Sequence, residues 1–72
     1  MYNLLKEAIG KDVSIDTDDN IYEGRLVAVE GSLAKVISDE STKKLERSTA
    51  YYINLRYVNN IEVVEYEKDI NY

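Results

Sequence analysis

Short runs alternating between apolar and polar residues recur along this chain at regular intervals, each closed by turn residues. That rhythm points to a small, strongly bent antiparallel β architecture. Lys11–Thr17 sets Val13, Ile15 and Thr17 against Asp12, Ser14 and Asp16, the period-two pattern of a strand with one wet face. Asp18-Asp19-Asn20 supplies turn chemistry, since Asp and Asn tolerate left-handed backbone and bond their own main chain. Ile21–Glu30 is a longer strand, and Gly24 inside it marks a kink or a close backbone approach. Leu26-Val27-Ala28-Val29 is apolar on both faces, as in a strand covered on both sides or bent to serve two sheets.

Gly31-Ser32 turns the chain into a third strand, Leu33–Ser38. Asp39–Ser48 is rich in Ser, Thr and charge, lacks a strand pattern, and is expected as the one long loop. Ala50–Leu55 places Tyr51, Ile53 and Leu55 on one face of a fourth strand. Asn59-Asn60 then predicts a short turn before a fifth, Ile61–Glu67. Ahead of all these, residues 2–9 carry Leu5, Ala8 and Ile9 on one helical face, and Gly10 supplies the stop. So short a helix has to pack on something to persist. The expected organisation is one domain over 1–72: helix 2–9, strands within 11–67, and a frayed tail at 68–72. On period alone, SH3-like, OB-like and Sm-like barrels all fit.

Composition removes several functions. The 72 residues contain no Cys and no His, so disulfides, thiolate and imidazole metal sites, and the usual neutral-pH proton shuttle are absent. No cofactor and no metal is expected. A nucleophile would lack its base, and the Asp18-Asp19 pair sits at a turn tip where water keeps both ionised, so an enzyme is not expected. Asp16-x-Asp18-x-Asn20 begins like a calcium loop, but Ile21 replaces the needed Gly and Val27 the closing Glu. A net charge of -5 argues against broad binding to a phosphate backbone, though not against a few local pockets. The one basic cluster, Lys43-Lys44-x-x-Arg47, reads as a solvated loop. There is no membrane-length apolar run and no secretory leader pattern, which predicts a cytoplasmic protein. Small domains need a staple. With disulfides and metals excluded, association with copies of itself is the one left. Seven Tyr supply all the aromatic area, which suits half-buried interface positions as well as simple composition bias.

Over roughly residues 4–64 the chain resembles the Sm-like family. Its first signature corresponds to Val13-Ser14-Ile15, Asp18-Asp19-Asn20, Tyr22-Glu23-Gly24-Arg25-Leu26 and Val29-Glu30, and its second to the apolar slots Ile53, Val58 and Ile61. The resemblance implies a mainly β fold: a short N-terminal helix followed by a five-stranded, strongly bent antiparallel barrel of the SH3 type. It also implies a homo-oligomeric ring in which the fourth strand of one subunit pairs with the fifth of the next. The implied interface is Tyr51, Tyr52, Ile53, Asn54, Leu55, Ile61, Val63 and Val64. An unpaired edge must be paired, covered or charged, and Tyr51–Leu55 carries neither charge nor Pro. A monomer whose loop folds over that edge is the competing arrangement.

The family's RNA-reading positions depart from its pattern. Where its members carry Asp-x-x-Met-Asn and Arg-Gly, this chain has Glu30-Gly31-Ser32-Leu33-Ala34 and Asn54-Leu55. Ala34 has no group to reach a base edge, and Asn54 neither neutralises a phosphate nor stacks as a guanidinium does. Single-strand recognition draws about 1–3 kcal/mol per base from stacking, so the family's uridine pocket does not carry over. Glu30, Gly31, Ser32, Asn54, Arg56, Tyr57 and Asn59 remain as a different polar site in that region. In the plainer and preferred reading, Tyr57 packs and the Asn residues serve the turn. Two functions follow: a non-catalytic ring associated with single-stranded RNA through an altered pocket, or an oligomeric scaffold of the same fold that binds protein.

Overall fold

The structure, a computed structural model, describes residues 3–65. The expected tail, the start of the predicted helix and the end of the predicted fifth strand lie outside them. α1 (Asn3–Lys6) is followed by β1 (Asp12–Thr17), β2 (Ile21–Glu30), β3 (Leu33–Ser41), β4 (Glu46–Asn54), a 3-10 turn η1 (Leu55–Tyr57) and β5 (Val58–Val63). All five strands form one antiparallel sheet in the order β4-β3-β2-β1-β5. β4 and β5 therefore occupy its two ends, and the sheet is not closed on itself. No helix among the described residues is long and apolar enough to cross a membrane.

Register explains the core. Val13 faces Gly24 and Val63, and Ile15 faces Tyr22 and Ile61. Leu26 faces Val36, Val29 faces Ala34, and Ala34 and Val36 continue to Ile53 and Tyr51. One face of every strand thus converges on a cluster whose fully enclosed members are Ile15, Leu26, Ala34 and Val36. The doubly apolar run 26–29 is resolved by a register shift between Leu26 and Ala28. The extra residue changes the strand's phase, so Leu26 and Val29 both point inward although three positions apart. Gly24 is a close approach, as expected: a Cβ there would overlap the Ile37 carbonyl and stand 2.9 Å from Val36 Cγ1.

The N-terminal segment closes one end of the core. After α1 the chain tightens into three-residue turns, with the amides of Glu7, Ala8 and Ile9 bonded to Leu4, Leu5 and Lys6. Gly10 ends it at φ 95°, in the left-handed region open to glycine. Its amide donates to the Leu26 carbonyl (2.8 Å), and the Leu26 amide donates to Lys11 (3.0 Å), which anchors the segment beside the bulge. Ala8 is buried and Leu5 half-buried, but Ile9 is exposed, so only part of the expected face packs.

Two expectations are corrected. Asp39–Ser48 is no long loop: β3 and β4 run on as a hairpin through Ser41↔Glu46. Its tip is held by Thr42, whose amide donates to the Leu45 carbonyl (2.7 Å) and whose hydroxyl accepts from the Leu45 amide (3.0 Å). An Arg47–Glu40 ion pair (2.9 Å) joins the facing strands. The polar composition reflects two exposed faces rather than absent pairing. Likewise, Asn59-Asn60 does not break the chain. The reversal falls earlier, at Leu55–Tyr57, and both Asn residues lie in β5.

Candidate functional site

Two turns meet at one corner of the sheet. The β2–β3 turn carries Glu30, Gly31 and Ser32, with Gly31 at φ 58° making the left-handed step. Leu33 pairs with Asn54, and the Leu55 amide donates to the Ser32 carbonyl at 2.8 Å. Residues 30–32 and 54–57 therefore form a continuous surface although more than twenty positions apart. Leu55 drops into the core, while Arg56 and Tyr57 project outward.

Each predicted site residue can be placed. Asn54 caps η1, its Oδ1 accepting from the Arg56 amide at 3.0 Å, so it serves the turn as the plainer reading had it. Asn59 belongs elsewhere: its Nδ2 donates to Asp18 Oδ1 at 2.6 Å and ties β5 to the β1–β2 turn. Tyr57 does not pack, remaining 72% exposed. Ala34 is wholly enclosed against Ile53, so this position presents nothing to a ligand. Glu30 and Gly31 are exposed and Ser32 half-buried.

The predicted interface residues divide by direction. Ile53 and Leu55 place their side chains in the chain's own core, so at these two positions only main-chain groups face the edge of β4 and the turn after it. Tyr51 is half-buried, its ring tilted 56° to that of Tyr22 at a centroid distance of 5.0 Å. Tyr52, its neighbour on the outer face, is 63% exposed and carries Lys35 Nζ 5.5 Å above its ring. Ile61 and Val63 are half-buried against the core; Val64 is exposed just past β5, its amide donating to the Asp12 carbonyl (2.9 Å).

Beside this corner lies a cleft of about 280 Å3 lined by Tyr22, Tyr51, Tyr52, Tyr57, Asn54 and Asp19, among others. Sequence reasoning missed Tyr22 and Asp19 as parts of one place with Tyr51 and Tyr57. The available signal was phase: Tyr22 shares the inward parity of Gly24 and Leu26, hence a side with Tyr51. No cluster of potential metal ligands occurs among the described residues. No family model, curated protein or solved structure matches the chain.

Proposed function

We propose that this chain is a non-catalytic, Sm-like barrel subunit that assembles head to tail into a homo-oligomeric ring and meets single-stranded RNA at the corner formed by residues 30–32 and 54–57. One observation carries the assembly: the strand order β4-β3-β2-β1-β5 puts two unlike edges, unpaired among the described residues, at opposite ends of one sheet. An edge left open invites pairing, and joining unlike edges repeats until a ring closes. Core-facing side chains on both edges leave their main chains as the natural seam.

The RNA reading rests on Tyr57 and Arg56, which stand exposed beside the β2–β3 turn. An exposed aromatic ring is a stacking platform and an adjacent guanidinium contacts phosphate. The scaffold reading, in which the same ring binds protein, is favoured by the burial of Ala34 and by the capping bond that occupies Asn54.

Light scattering tests the first part: a ring has several times the subunit mass of 8.3 kDa, and a monomer at every concentration overturns both readings. Titration of labelled oligouridine and oligoadenosine at low salt tests the second. Saturable binding to either supports RNA; binding to neither leaves the protein-scaffold reading.

A further inference from the structure

We infer that the tyrosine cleft is a binding site for a small organic cation, a methylated ammonium or guanidinium group. Its lining gathers four tyrosines from three parts of the fold: Tyr22 on β2, Tyr51 and Tyr52 on β4, and Tyr57 on η1. Tyr52 turns its ring to the opposite face of β4 from Tyr51, so the rings available to a ligand are those of Tyr22, Tyr51 and Tyr57. Tyr22 and Tyr51 meet at 56° rather than in parallel, so their faces form an inclined corner. Ring faces are electron-rich and attract cations within about 6 Å of the centroid. The contact between Lys35 Nζ and the Tyr52 ring is such a pair already made, within the chain itself.

Charge points the same way. Asp19 is the one charged residue in the lining, it is exposed, and it has no ion-pair partner among the described residues. Lys35 does not line the cleft, and no other cation does. A volume of about 280 Å3 lies at the lower end of small-molecule pockets, suited to one side-chain-sized group. An aromatic corner with a lone carboxylate and no cation favours a positively charged ligand over a free anion. An alkylated cation satisfies both components, its methyl or methylene groups on the rings and its charge toward Asp19. The chain's net charge of -5 draws the same ligand from a distance.

The site is distinct from the proposed RNA corner in what it recognises, although Tyr57 borders both. The test uses the intact chain with carbon-13-labelled tyrosine rings, followed by NMR. Choline is the free-ligand probe, a blocked peptide with one trimethyl-lysine and a blocked arginine peptide are the chain-borne probes, and the tert-butyl isostere of choline is the neutral control. Saturable shifts of the tyrosine rings with at least one cation are expected, at a dissociation constant on the order of 1 mM. Choline alone identifies a free metabolite as the source, and a tighter peptide identifies a protein side chain. Tyr57→Leu and Asp19→Asn change exposed residues and leave the fold intact. Each is expected to weaken binding roughly two- to fivefold, the scale of one exposed cation–π contact for Tyr57 and of one exposed ion pair for Asp19. Lys35→Gln, which removes a like charge outside the lining, leaves binding equal or tighter. Equal binding of the neutral isostere, unchanged affinity in D19N, or absence of saturable shifts with all the cations overturns the assignment.

Discussion

Gly24 lies so close to Ile37 that the carbonyl of Ile37 fills the space a Cβ on residue 24 would take. The contact joins β2 to β3 next to the Leu26–Val36 pair at the centre of the core. The obstructing atom is backbone, so relief requires the two strands to separate. Gly24→Ala is expected to destabilise the fold by about 1–3 kcal/mol, the usual cost of overpacking. Urea unfolding should show a lowered midpoint with an unchanged slope. An unaltered midpoint would mean that β2 and β3 are not in this register.

Ala34 stands where a base-reading side chain would be expected by resemblance, yet it is fully enclosed. Ala34→Asn therefore does not create a uridine contact. It introduces a larger, polar side chain beside Ile53 and leaves its amide without partners. Loss of about 1–3 kcal/mol from the unsatisfied group alone is expected, with no gain in oligouridine affinity. Thermal melting and a binding titration on the same preparation check both halves.

Asn54 and Arg56 are neighbours with separable tasks. Asn54→Ala removes the η1 cap and is expected to cost about 1 kcal/mol, while Asn54→Asp retains an acceptor and most of the stability. Arg56 is exposed, so Arg56→Gln leaves the melting temperature unchanged. If RNA meets this corner, that substitution weakens oligonucleotide binding and lowers the salt dependence by about one charge. Equal salt dependence in the wild type and the variant would remove Arg56 from the interface.

Alternation made most of the sheet legible in the sequence. Val13 and Ile15 against Asp12 and Ser14 read directly as an inward and an outward face, and Ile21–Glu30 matches β2 at both ends. The resemblance anticipated β4 and β5 as the two edges. The hairpin at 39–48 has both faces in water and its one apolar residue, Leu45, sits at the tip, so nothing marks the parity of its strands, and its order comes from Thr42 and the ladder itself. Asn59-Asn60 looks like a turn by composition, but Asn59 instead meets Asp18, a contact between residues 41 positions apart. The tyrosine cleft draws on separate elements: phase put Tyr22 on the same side as Tyr51, but only the strand register brings them and Tyr57 to one place.

The hairpin tip separates a specific local bond from a surface charge pair. The Thr42 hydroxyl accepts from the amides of Lys44 (3.3 Å) and Leu45 (3.0 Å). Thr42→Val keeps the shape and removes those acceptors, with an expected loss of about 1 kcal/mol. The Arg47–Glu40 bridge is exposed on both sides, and such pairs contribute roughly 0–1 kcal/mol. Arg47→Ala should therefore melt within a few degrees of the wild type, and the small difference should vanish in high salt. Chemical denaturation of the two variants in parallel orders them; a larger effect from R47A would show that the charge pair, not the threonine, holds the turn.

The edge of β4 is where fold and assembly can be distinguished. Ile53→Asp would be a poor probe by itself, because Ile53 is 5% exposed and a buried carboxylate disrupts the subunit before any neighbour is involved. Tyr52 is the better position. It lies one residue away on the same strand, points outward, and faces Lys35 across the β3–β4 ladder. Tyr52→Glu places a charge along the edge, while Lys35 offers it an opposite charge within the subunit. Stability should hold to about 1 kcal/mol, as for other exposed positions, whereas edge pairing becomes unfavourable. If the chain assembles as proposed, the expected outcome is an unchanged melting curve at low concentration and a fall in scattering mass to that of a single chain. Tyr52→Phe keeps the aromatic surface and should keep the assembly. If Tyr52→Glu retains the full mass, the seam does not run along β4, and head-to-tail pairing of the two edges fails as the basis of the oligomer.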